Sequence, residues 1–213
     1  MEQKAYLTLK AYGEDAFVER KSRFIGQAAP VSTEDEALDF IASVREKHRD
    51  ARHHVFAYRL RSGQTRCSDD GEPQGTGGVP ALEVLERASI VDGCVVVTRY
   101  FGGVLLGTGG LSRAYGHGAK LGVEAAGLAT MVPCRTLRLG CGYELYGKLS
   151  YLLPSWPAKQ LASDFGEAVM VELLCRLDAE EEICRAFTEL TSGQGTLERL
   201  GESFADENEV RAG

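Results

Sequence analysis

The chain has 213 residues, 44% of them hydrophobic and 26% charged, with a formal net charge of −7. That suffices for one large or two small cores of ordinary globular composition, and no apolar run approaches the ~20 residues of a membrane span. The N-terminus lacks the basic-then-apolar pattern of a secretion signal, and six scattered cysteines without zinc-type spacing predict reduced thiols in a cytoplasmic protein.

Two short strands are expected within 16–31, followed by a capping box of Thr33 and Glu36 that starts a helix at about Glu34. Ala37, Phe40, Ile41 and Val44 give that helix an apolar stripe. A strand over 52–60 places His53 and His54 on opposite faces, so the pair cannot grip one metal ion. A long connection over 61–79 carries little regular structure, and loops of that length are usually functional. Pro80 suits a helix first turn, with Leu82, Leu85, Ala88 and Ser89 facing inward. The run Cys94-Val95-Val96-Val97-Thr98 reads as a strand buried on both faces. A helix over 111–126 closes this first part, its glycines at 116, 118 and 122 predicting a close neighbour.

A domain boundary is expected near Thr130-Met131-Val132-Pro133, dividing the chain into 1–131 and 132–213. The first part carries 16 basic and 17 acidic side chains, the second 8 and 14. Beyond the boundary come an alternating strand to Tyr143, a helix over 146–153, a short strand over 159–162, a strand to Cys175, a helix over 179–190 with an exposed Glu180-Glu181-Glu182 run, and a strand over 196–204 before a frayed tail. This βαββαβ order is the ferredoxin-like pattern, and the fold class is α+β.

The chemistry-bearing stretch is 68–113. Asp69, Asp70 and Glu72 crowd three carboxylates around Gly71, a set suited to a divalent cation through oxygen ligands or to pairing with Arg99, which ends the buried strand and needs an acidic partner. Gly107, Thr108, Gly109 and Gly110 precede the 111–126 helix, whose unpaired N–H groups and dipole suit an anion, with Ser112, Arg113 and Arg99 as candidate helpers. The spacing matches neither a Walker motif nor the dinucleotide fingerprint. Ser68 and Ser112 lack an adjacent His or Lys, and His117 stands alone. Residues 45–66 hold seven Arg or Lys against Glu46 and Asp50, making Arg49, Arg52, Arg59, Arg61 and Arg66 candidate phosphate contacts for RNA.

These residues carry a resemblance. Lys21-Ser22-Arg23-Phe24-Ile25, His53-His54, Ser68-Asp69-Asp70-Gly71-Glu72-Pro73-x-Gly75-Thr76, Gly78-x-Pro80, Arg99-Tyr100-Phe101-Gly102-Gly103, Leu106-Gly107-Thr108-Gly109-Gly110-Leu111 and Ala114-Tyr115 resemble the YigZ/IMPACT family. Gly77 departs from the alanine usual in that family's Gly-Thr-Ala-Gly. The resemblance implies an N-terminal α/β domain like the ribosomal-protein superfold of the fourth domain of elongation factor G, and a C-terminal ferredoxin-like domain similar to that factor's fifth. It also implies a link to translation, since the eukaryotic relatives restrain a translation-controlling stress kinase by binding its activator. It assigns no catalytic residues. The expected function is therefore a non-catalytic cytoplasmic binding protein linked to translation, contacting RNA, the ribosome or a protein partner. The alternative is a nucleotide- or phosphate-binding enzyme, metal-dependent, built on the acidic and glycine-rich loops.

Overall fold

The computed structural model describes residues 4–210. The described residues divide into two compact units, 6–129 and 130–210.

In the first unit, β2 (Gly13–Glu19), β3 (Ser22–Pro30), β4 (His53–Arg59), β5 (Thr65–Ser68) and β6 (Gly93–Tyr100) form an antiparallel sheet in the order β2-β3-β6-β4-β5, after a short β1 (Tyr6–Leu9). Helix α1 (Glu34–Lys47) packs Ala37, Ile41 and Val44 on one face against Phe56, Tyr58, Cys94 and Val96. On the other face α2 (Gly78–Arg87) and α3 (Thr108–Ala126) cover Phe24, Ala28, Val55, Ala57, Val95 and Val97. Residues 94 to 97 of β6 are fully buried because helices cover both faces, although the sheet is antiparallel throughout. The Thr33 hydroxyl accepts from the Glu36 N–H as expected, but the Glu36 carboxylate accepts from Ser32 N–H instead of closing the box on Thr33.

Strands β1 and β5 are absent from the sequence-based expectation. The 61–79 connection is not wholly irregular: Thr65–Ser68 pairs with β4 as an edge strand, its period-2 signal too short to read. β1 is held by a parallel bridge from Leu7 to Ile90 and by Val91 N–H donating to Leu7 O at 3.0 Å.

Glycine lets α3 lie against β3. A Cβ on Gly26 would stand 1.8 Å from the Gly118 carbonyl oxygen, and one on Gly122 would stand 2.9 Å from Gln27 N. The close neighbour expected from Gly122 is therefore β3, whereas a Cβ on Gly118 would stand 2.8 Å from Val97 Cγ1 of β6. Gly116 faces elsewhere, with a Cβ only in ordinary contact with Pro80 at 3.8 Å.

In the second unit β7 (Leu128–Cys141), α4 (Tyr143–Leu152), β8 (Ala158–Phe165), β9 (Val169–Arg176), α5 (Glu180–Leu190) and β10 (Thr196–Asp206) give the ferredoxin-like order, with strands arranged β8-β9-β7-β10. Leu137, Leu139, Val171, Leu173, Ile183 and Phe187 fill its core. Tyr143 opens α4 instead of ending the strand. Glu180 is not exposed as its neighbours suggest; it is buried and paired with Arg135 and Arg199. The expected frayed tail is ordered as far as Val210, which packs with Val132, Cys134 and Ala205; residues 211–213 lie outside the described residues. All six cysteines are free and five are buried, their thiols pushed up by desolvation, Cys175 to about 12.

Candidate functional site

The motif residues gather where β3 and β4 begin and β6 ends. Arg99 of β6 lies in register with Phe24 of β3 and His53 of β4. Its side chain is buried, and its guanidinium lies 5.4 Å from the Phe24 ring centroid and 5.3 Å from that of Phe101. The Nη1 donates to Glu72 Oε1 at 2.6 Å, the Nη2 to Ser22 Oγ at 3.4 Å, and the Nε has no partner. Tyr115 of α3 donates its hydroxyl to the same Glu72 oxygen at 2.7 Å. Burial, reinforced by Glu72, raises the phenol far above its ordinary pKa. Glu72 therefore fastens a strand end and a helix to the acidic loop.

The three carboxylates diverge. Asp69, expected beside Arg99 or a cation, accepts instead from three backbone N–H groups, those of Gly75, Gly77 and Gly78, each at 2.8 Å. Burial opposes its ionisation, but those donors hold the carboxyl below the usual range. The start of α2 has no side-chain cap from Gly77 itself, so Asp69 caps it from nine residues upstream. Asp70 accepts from His54 N–H and from Arg45 Nη2, both at 2.7 Å. His53 Nδ1 lies 2.9 Å from Asp70 O, and its Nε2 lies 3.8 Å from Glu72 Oε1. Among the described residues no group of three or more His, Cys, Asp or Glu side chains stands ready for a metal ion. The expected pairing of Arg99 with a carboxylate of this loop is made by Glu72 and by neither aspartate. Gly77 fits tightly: a Cβ there would lie 2.8 Å from Val55 Cγ2.

The glycine-rich loop sits apart from this cluster of charges. Gly107, with φ of +71°, starts α3 without a side-chain cap, and Thr108 and Gly109 are exposed. Arg113 is exposed and Ser112 half-buried. Gly110, Arg113 and His117 line a 250 Å³ pocket with Arg20, Phe17 and Leu106. Arg99, grouped with this anion site in the sequence reading, is instead committed to Glu72.

The five candidate RNA-contacting arginines do not form one patch of free charge. Arg59 donates to the carbonyls of Leu85 and Ile90, where α2 ends. Arg61 lies 3.6 Å from Asp92 and over the Tyr6 ring, and Arg66 lies 3.6 Å from Glu34. Arg49 and Arg52 are exposed.

A further feature escaped the sequence reading. An open groove of about 840 Å³ runs between α2 and α3, floored by apolar residues and edged by Arg87, Arg113, His117 and Lys120. The 113, 117, 120 spacing was a legible helical stripe. That it borders a groove depends on α2 lying alongside, which no local pattern reveals.

Residues 20–123 match the Impact N-terminal domain, and residues 139–194 match a domain of unknown function, DUF1949. The IMPACT family member YvyE of Bacillus subtilis (strain 168) is 37% identical over 195 residues, spanning 91% of this chain and 90% of that one. The IMPACT family member YigZ of Escherichia coli (strain K12) is 37% identical over 158 residues, 72% and 78% of the two chains. Protein IMPACT of Bos taurus is 33% identical over 96 residues, 42% of this chain and 30% of that protein. A crystal structure of a hypothetical protein, 31% identical, superposes with a TM-score of 0.61 and covers 94% of this chain and 99% of its own. With a relative 37% identical over 90% of its own length and both domains recognised in order, the chain belongs to the IMPACT family.

Proposed function

We propose that this chain is a non-catalytic, cytoplasmic binding protein linked to translation, with its first domain as the contacting part. The observation that carries the reading is the commitment of the motif's charges: Asp69, Asp70, Glu72 and Arg99 bind one another's elements and the backbone, which suits a scaffold that presents a surface. Free thiols agree with a reducing compartment. Of the five arginines suggested for RNA, Arg49 and Arg52 are the two whose side chains serve neither an ion pair nor a hydrogen bond among the described residues, since Arg59 donates to backbone carbonyls and Arg61 and Arg66 pair with carboxylates. Sedimentation of the purified chain with ribosomes at about 50 and 200 mM salt tests the reading, since phosphate contacts weaken steeply with salt. Co-sedimentation is expected. Its loss at both salts would overturn the link to translation, and unchanged binding by Arg49→Glu/Arg52→Glu would move the contact from RNA to protein.

A second reading, an anion site at the start of α3, is favoured by the Arg20, Arg113 and His117 side chains around Gly110, which outnumber the one carboxylate of the pocket, Glu19. Calorimetric titration with inorganic phosphate tests it. Heat of binding abolished by Arg113→Ala supports it, and no heat refutes it.

A further inference from the structure

We infer that the groove between α2 and α3 docks an acidic amphipathic helix of a partner protein, an inference that rests on the reading of the chain as a binding protein. The walls are two neighbouring helices, and their outward faces leave Val79, Pro80, Val84, Ala88, Gly116 and Val123 as floor. Val79 is 46% exposed, an apolar side chain at the mouth of an apolar trench. Gly116 contributes no side chain, and a Cβ there would still clear Pro80 by 3.8 Å, so a third backbone can approach closely. From Ser112 to Glu124 the trench follows α3 for about 18 Å at 1.5 Å per residue. That length fits three turns of helix laid in by ridges and grooves, with anchors at i, i+4 and i+7.

Charge selects the sign of the occupant. Arg113, His117 and Lys120 share one face of α3 along the rim. The groove's two carboxylates are answered within their own helices, Glu83 by Arg87 at 2.6 Å and Glu124 by Lys120 at 3.6 Å. What remains toward a visitor is Arg113 with His117, and both also border the neighbouring pocket, which Arg20 and Glu19 line. In a chain of net charge −7 this is a local excess of positive charge, and it complements acidic flanks on an otherwise apolar helix. RNA suits the trench poorly: its floor is aliphatic, and His117 supplies its only ring for base stacking among the lining residues.

The probe is a fluorescein-labelled 14-residue designed helix with leucines on one face and glutamates flanking them, compared with a lysine-flanked analogue and a scrambled isomer. The full chain is titrated by anisotropy and by amide chemical shifts. The glutamate peptide is expected to bind with Kd on the order of 10–100 μM and to shift resonances within 79–88 and 112–128. The lysine peptide should bind about tenfold more weakly. Arg113→Glu should invert that preference, and Val79→Asp should weaken both peptides, with thermal midpoints unchanged because both residues are exposed. Equal affinity for the two peptides, shifts elsewhere in the chain, or unaltered preference in Arg113→Glu would overturn the inference. Groove resonances shifted by a 12-nucleotide RNA but by neither peptide would also overturn it, in favour of nucleic acid. Ribosome co-sedimentation that persists while the peptide fails to bind would sink the groove alone and leave the proposed function standing.

Discussion

Replacing Glu72 with glutamine removes one charge of an ion pair whose two side chains are each only 5% exposed. The Arg99 guanidinium would then stay buried with a long contact to Ser22 Oγ at 3.4 Å and an Nε that already lacks an acceptor. Breaking a buried pair from one side typically costs ~3–5 kcal/mol. Glutamine keeps a carbonyl oxygen that can still accept from Arg99 and Tyr115, so the lower end, about 3 kcal/mol, is expected. With a urea slope of ~2 kcal/mol per molar, the midpoint should fall by about 1.5 M. The single tryptophan, Trp156, lies in the other unit, so the transition should be followed by far-UV circular dichroism and not by tryptophan fluorescence. Arg99→Met alone should also destabilise, by stranding Glu72 beside Tyr115. The double variant Glu72→Gln/Arg99→Met should lose much less than the sum of the singles, because no buried charge remains. A loss under about 1 kcal/mol in Glu72→Gln, or additive losses in the double variant, would refute the buried pair as the fastener of this region.

Asp69→Asn should lower stability by ~1–3 kcal/mol, because an amide presents one oxygen to three N–H donors that now share two charged ones. The Asp69 pKa is held down in the folded state, so its contribution is complete above the ordinary carboxylate value near ~4 and is lost as pH falls through the lower folded value. Urea midpoints measured from pH 6 downward should therefore converge between wild type and variant in acid; a constant gap would argue against the cap. Gly26→Ala should destabilise by ~3 kcal/mol or more, since its Cβ would meet the Gly118 carbonyl, whereas Gly116→Ala should gain ~0.5–1 kcal/mol; thermal melts that rank them otherwise would refute the assigned helix faces. A fragment of residues 6–129 contains both cores of the first unit and should unfold cooperatively by itself; a non-cooperative melt would show that the division at Thr130 does not mark independent folding.

What the sequence made legible were the features set by local periodicity. The stripe of Ala37, Ile41 and Val44, the buried run of β6 and the βαββαβ order all follow from spacing, and all stand in the structure. The opposite faces of His53 and His54 follow from strand alternation in the same way. What stayed hidden depends on partners distant in the chain. Strands of four residues such as β1 and β5 are stabilised by what they pair with, and their sequences carry too few alternations to announce it. Asp69 reaches forward nine residues to cap α2, a pattern outside the three-residue offset of a capping box. Counting carboxylates around Gly71 suggested one cation, but only the fold shows that they face Arg99 and Tyr115, the α2 start, and the β4 backbone separately. The partners of the basic segment were hidden for the same reason: Arg59, Arg61 and Arg66 reach α2, the turn at Asp92 and α1, all distant in the chain.

The acidic loop and the groove are physically one construction. Asp69 collects the N–H groups of Gly75, Gly77 and Gly78, and Val79 and Pro80 of the groove follow at once in the chain, so the loop fixes where one wall begins. Two residues further along the loop from Asp70, Glu72 accepts the Tyr115 hydroxyl, and Gly116 of the opposite wall is the next residue of α3. The four residues from Asp69 to Glu72 thus hold both helices, each through a hydrogen bond to a carboxylate, and charge-assisted bonds of this kind are stronger and more directional than neutral ones. Apolar packing alone would let two helices slide along a sheet at little expense, since hydrophobic contact has no preferred direction. Directional bonds at both walls add a geometric constraint to that packing, and a preformed site spares a partner the entropy of ordering it. The stretch most suggestive of a ligand site in the sequence is, on this geometry, the clamp that shapes a docking surface one helix turn away.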